Sequence, residues 1–167
     1  MLTTTQAADV LNLVETSAIN SLEADSWLKT GGTGSIGLIH AWVLRSERTY
    51  QGHELPAIVV RAAGVARSNG ASPAGAEDLA IALLVEAIDA GADRVSVTTT
   101  LQEVAARLRR WLADQNTPGG NRLDGLLDDG DGVIFPGPVQ LLEEKQVESI
   151  HRAVARVEAT VRLRAGL

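Results

Sequence analysis

The stretch RAVARVEATVRL, residues 152–163, decides the fold, because it supports two readings with opposite consequences. Counted with a period of two, the segment from Val147 to Leu163 puts Val147, Ala153, Ala155, Val157, Ala159, Val161 and Leu163 on one side. The other side then holds Glu148, Arg152, Arg156, Glu158, Thr160, Arg162 and Arg164, the alternation of a half-buried strand. Counted with a helical period, Val147, Ile150, Val154, Val157 and Val161 form a seam, with Glu148/Arg152 and Glu158/Arg162 four apart. The strand accounts for more of the apolar positions, and its valine density suits a pleated surface. As a strand it closes a sheet; as a helix it would leave that sheet short of a partner.

Working backwards, Val133 to Leu142 reads as a strand broken by Pro136 and Pro138, so it belongs at an edge or is bent. Thr98 to Asp114 carries Leu101, Val104, Ala105, Leu108, Trp111 and Leu112 on one helical stripe, capped by the threonines at 98–100 or begun earlier, near Asp93. LAIALLVEAI, residues 79–88, is an almost unbroken apolar run of strand length, compatible with a helix through its alanines and leucines and read as a central strand. Leu55 to Ala62 is a strand entered through Pro56, and Ile36 to Leu44 another, with His40 and Trp42 on one side. Thr5 to Leu22 has the spacing of an amphipathic helix that Thr3, Thr4 or Thr5 can cap. The order is helix, three strands, helix, two strands. This predicts a single α+β domain over residues 1–167 with a mostly antiparallel β-sheet and helices packed on one face, and mobile loops near 29–35, 68–76 and 116–132.

The 167 residues suffice for one core burying about 70% of the unfolded chain's surface. Apolar residues are 45% and charged ones 22%, which predicts a globular chain and not a disordered one. Neither a membrane span nor a secretory signal is visible, so a cytoplasmic site of synthesis and no membrane partner are expected. Zero cysteines exclude disulfides, thiolate metal sites and cysteine nucleophiles. A net charge of -6 and only 3% aromatic residues argue against a nucleic-acid surface, which needs cations and stacking rings.

Gly32-Thr33-Gly34-Ser35-Ile36-Gly37 matches the dinucleotide fingerprint in letters, with Glu54 about twenty residues beyond. In the fingerprint, however, the glycines leave a strand and open a helix; here a helix precedes them and a strand follows, so a linker is the better reading and a small nucleotide-binding domain the alternative. Asp124, Asp128, Asp129 and Asp131 offer hard oxygen ligands but lack the EF-hand order. His40, His53 and His151 are scattered, and Ser35 lacks a nucleophile-elbow context. The expectation is no catalytic residue, no cofactor and no metal. Arginines do cluster: Arg107, Arg109 and Arg110 on the helix, and Arg152, Arg156, Arg162 and Arg164 near the end. They form either a solvated face or a contact with acidic partner surfaces, and Arg107, Arg109, Arg110, Arg152, Arg156 and Arg162 are the candidate interface residues.

Taken together, the N-terminal helix, the glycine-rich connection, LPAIVV at 55–60, LAIALLVEAI ahead of the LQEVAARLRRWL helix, and the final RAVARVEATVRL resemble the tail terminator or tail completion proteins of tailed bacteriophages. The resemblance covers most of the chain in element order, with the 117–131 stretch as an insertion. It implies a non-enzymatic virion protein, assembled in the bacterial cytoplasm, that forms a homo-oligomeric ring, typically a hexamer. Such a ring sits on the tail tube, ends its polymerisation and joins it to the head connector and neck proteins. A neck or head-closure protein is the variant reading. The loops would contact tube or connector, and the arginines the subunit seams.

Overall fold

The computed structural model describes residues 1–29, 38–41, 55–68, 76–143 and 148–166. The chain runs α1 (Thr4–Ala8), α2 (Val10–Glu23), α3 (Ser26–Lys29), β1 (Leu38–Ala41), β2 (Ala57–Ser68), β3 (Ala76–Gly91), α4 (Arg94–Asp114), α5 (Leu126–Asp129), β4 (Val133–Glu143) and β5 (His151–Gly166). One five-stranded sheet has the order β1-β2-β3-β5-β4, antiparallel except for β1 beside β2. The fold is α+β.

The two longest strands set the layers. β3 and β5 pair along their whole length, Ala76 opposite Gly166 and Gly91 opposite His151. Their odd-numbered residues, Leu79, Ile81, Leu83 and Val85 against Val157, Val161 and Leu163, are buried in one core with Val14 and Leu22 of α2 and Leu101, Leu108 and Leu112 of α4. Both long helices therefore lie on one face, as the alternation predicts, and the final segment is the strand. The even-numbered residues of β3 and β5 line the other face, which no described helix covers.

Local chemistry accounts for the element ends. Thr3 and Gln6 make a reciprocal capping box at α1, and Asp9, with φ -116° and ψ 32°, separates α1 from α2, so the expected single N-terminal helix is two. Asp93 caps α4 by accepting the amides of Val95 and Ser96; Thr98–Thr100 lie inside the helix and cap nothing. β4 is an edge strand whose register shifts between Pro136 and Val139, the expected consequence of its prolines. Asn116 blunts that edge: its side-chain amide donates to the Ile134 carbonyl and accepts the Ile134 amide at 3.0 Å, copying a strand neighbour.

The stretch 116–132, expected as a mobile loop, is instead tied to the body. Leu123, Leu126 and Leu127 are buried in the main core, and successive turns and α5 hydrogen-bond its backbone. The periodic spacing of its leucines is too short to signal burial in the sequence. The other two expected loops, near 29–35 and 68–76, lie almost wholly outside the described residues. The N-terminus joins the same region: Leu2, 1% exposed, pairs with β5 through Arg164 and Gly166.

Candidate functional site

The structure divides the six predicted interface arginines between two layers. Arg107 is on α4 and already engaged, its Nε 3.2 Å and Nη2 2.6 Å from the two oxygens of Asp25. That carboxylate also accepts the amides of Trp27 and Leu28, so the pair fastens α4 to the start of α3. Arg109 and Arg110 project from α4 into solvent. Arg152, Arg156 and Arg162 sit on β5, on the face away from the helices. Arg156 binds Glu86 on the neighbouring strand, with Nε 2.8 Å and Nη2 2.7 Å from Oε1. The Arg162 guanidinium lies 5.0 Å from the centre of the Phe135 ring. Arg152 is half-buried opposite Ala90. No single surface contains all six.

The acidic residues do not converge either. Asp124 accepts from Asn20 at 2.9 Å, Asp128 pairs with Arg122, and Asp131 lies 3.7 Å from the N-terminal ammonium. Among the described residues no group of three His, Asp or Glu side chains stands close enough to hold a metal ion. The glycine motif at 32–37, Ser35, His53 and Glu54 fall outside the described residues, and His40 is described only in its backbone, paired with Val59. His151 opens β5 opposite Gly91. Among the described residues no helix is long and apolar enough to cross a membrane.

Three recesses are formed among the described residues. One of about 390 Å³ beside Trp111 is lined by Ser21, Asp25 and Gln115, whose hydrogen bonds are satisfied within the chain. The other two, of about 320 and 480 Å³, lie on the open sheet face. The larger is bounded by Arg61, a lone charge in the apolar start of β2, and by Glu158, one of the charges on the open side of β5. The sequence signal for them existed in the strand alternation, which sends both residues to the face opposite the core.

Two carboxylates have their pKa raised by burial. Burial raises the pKa of Asp89 against the opposing bond from the Ala90 amide, and burial raises that of Glu15 above the usual 4.5. The amide of Ala62, 3.2 Å away, and the charge of Arg61 pull Glu15 the other way without overcoming burial. Folded protein thus holds the Glu15 proton more tightly than unfolded chain does. Stability from this group is greatest at acid pH and is lost as pH rises through the raised value. Glu15→Gln keeps an acceptor for Ala62 and carries no charge. It is expected to be more stable than the parent at neutral pH, with the gap closing on acidification; urea unfolding across that range measures it.

The chain matches no protein-family model and no curated protein sequence.

Proposed function

We propose that this chain is a structural protein of a bacteriophage tail, forming a homo-oligomeric ring, a hexamer by its resemblance to tail terminators, on the end of the tail tube. In this role it ends tube polymerisation and presents the surface to which head connector and neck proteins attach. It works in the virion, after assembly in the host cytoplasm, and its role is geometric and not enzymatic.

The observation that supports this reading best is the unlike chemistry of the two ends of the sheet. At the Gly91/His151 end, Val95 is 72% and Ile150 52% exposed, with Leu141 and Leu142 exposed nearby. At the Ala76/Gly166 end the surface is ionic: Arg67 pairs with Glu77 at 3.5 Å, Arg164 with Asp78 at 3.4 Å, and Asp131 lies near the N-terminus. A protomer that exposes several large apolar side chains among charges at one end, and ion pairs at the other, suits a ring that meets a different partner on each side. Arg109 and Arg110, exposed on α4 between these ends, are the arginines assigned here to the subunit seam.

Native mass by light scattering, with negative-stain images and the length of tubes formed in the presence of the cognate tube protein, tests the proposal. A ring that caps tubes supports it. Tubes that grow unchanged at saturating protein defeat it. Replacing Arg109 and Arg110 by glutamate is expected to weaken ring assembly by roughly tenfold or more, the effect of losing about 1.4 kcal/mol per seam. Unchanged mass of the variant would remove those residues from the seam.

A further inference from the structure

We propose that the open face of the sheet is a self-complementary surface that docks a second copy of this chain about a twofold axis. The residues on this face can be read row by row from the strand register. Across β2, β3, β5 and β4, one row is Ala66, Ala80, Arg162, Val133, and the next is Ala63, Ala82, Thr160, Phe135. The following row is Arg61, Leu84 and Glu158, ending at the β4 bulge around Gly137. The β2–β3 half is therefore lined with alanines, while the β5–β4 half projects larger side chains.

A twofold axis running along the strands between β3 and β5 brings β2 of one copy over β4 of the other, and β3 over β5. Phe135, 45% exposed, then stands over Ala63, Thr160 over Ala82, Arg162 over Ala80 and Val133 over Ala66. In these two rows each large side chain meets a small one, and the recess of about 480 Å³ beside Ala63, Ala82 and Leu84 gives the phenyl ring its space. In the next row Arg61 lies over the Gly137 bulge of the other copy, beside its Glu158. Within one chain the Arg61 Nε is buried with no hydrogen-bond partner. The Nε stays enclosed, but Arg61 also lines the recess, where the second copy's Glu158 carboxylate faces its charge, and symmetry makes the pair twice.

The patch has a defined limit. At the far end of the face Val59, Ile88 and Val154 are already buried within the chain. Four strands at about 4.8 Å spacing and some eight residues of length leave about 500 Å² per copy. That is near the lower bound for specific association, so the dimer is expected to be reversible. Arginine and phenylalanine with no lysine is also an interface composition.

The proposal does not depend on the tail reading, because Arg109 and Arg110 lie on the helix layer, across the sheet from this surface. Sedimentation velocity over a concentration series of the full chain tests it. The parent is expected to show a reversible pairing step, of monomers or of whole rings. Ala82→Arg, at an exposed position, is expected to weaken it roughly tenfold or more while leaving the melting temperature unchanged. Arg61→Glu and Glu158→Arg should each lose this pairing, since each sets like charges face to face. Mixed together they should recover the dimer, because both cross-axis pairs become attractive again. R109E/R110E should dimerise like the parent. A parent that stays monomeric throughout, an oligomer of any order that Ala82→Arg leaves intact, or a mixture that fails to associate overturns the proposal.

Discussion

Gln115→Leu is expected to cost about 3 kcal/mol of folding stability, seen as a lower urea midpoint with an unchanged slope. Gln115 ends α4 with its side chain 2% exposed, and it is the junction of three elements. Its Nε2 donates to the Trp111 carbonyl at 2.8 Å. Its Oε1 accepts the Leu123 amide at 2.7 Å and the Ser21 hydroxyl at 3.2 Å. Ser21 in turn accepts the Trp111 indole N–H at 2.9 Å. Leucine fills a similar volume but leaves a buried amide and a buried hydroxyl without acceptors, each a penalty of about 1–3 kcal/mol that repacking cannot remove. Ser21→Ala should cost less, about 1–2 kcal/mol, because it strands only the indole N–H. The two losses should not add: with Gln115 already gone, removing Ser21 still strands the indole N–H but also removes a hydroxyl that has lost its acceptor, and the two effects offset. Strict additivity would show that the four groups do not act as one network.

That network explains what could and could not be read beforehand. The long elements were legible because burial imposes a period: the alternation of β5 and the stripe of α4 each repeat often enough to outvote a rival pattern. The prolines at 136 and 138 marked an edge strand, because a missing amide is tolerable only there. The 116–132 segment was not legible. Its composition, Asn116-Thr117-Pro118-Gly119-Gly120-Asn121 followed by aspartates, is that of a solvated loop, and what anchors it is distant in sequence: Gln115 beneath Leu123, Asn116 against Ile134, Asn20 against Asp124. Side-chain bonds to backbone leave no periodic trace. The arginines show the same limit. Charge clustering in sequence cannot tell Arg107, spent on Asp25, from Arg109 and Arg110 two and three residues on, because which side of the helix meets α3 is decided by packing. Arg61 is a lone charge within an apolar run and Glu158 one of several charges on β5, and nothing in the sequence joins them: they meet a common recess only once β3 is placed between them.

Gly132→Ala is expected to destabilise the fold by about 2–3 kcal/mol, a drop of roughly 5–10 °C in melting temperature. The reason is space and not backbone conformation. A Cβ at Gly132 would stand 2.6 Å from Cδ2 of Leu163, 2.9 Å from the carbonyl oxygen of Arg162 and 3.1 Å from Cδ2 of Leu127. Leu163 cannot simply rotate away: it is 2% exposed, and a Cβ at Gly130 would already crowd the same methyl at 2.9 Å. The Arg162 carbonyl belongs to β5, paired on both sides, so moving it disturbs two ladders. The strain falls where the turn after α5 feeds into β4 and where the Arg164 amide bonds to the Gly130 carbonyl at 2.8 Å. Gly119→Ala supplies the opposite case. Its φ of 79° favours glycine, yet a Cβ there meets nothing within 4 Å, so only the conformational cost applies, about 1 kcal/mol. If the two substitutions prove equally costly, close packing of the turn against β5 is not what makes glycine necessary at 132. If Gly132→Ala alone is severe, the segment 116–132 is bound into the core through that contact, and its removal should loosen β4 before the β2–β3 half of the sheet. Hydrogen exchange would show this as earlier loss of protection at Ile134 than at Val60.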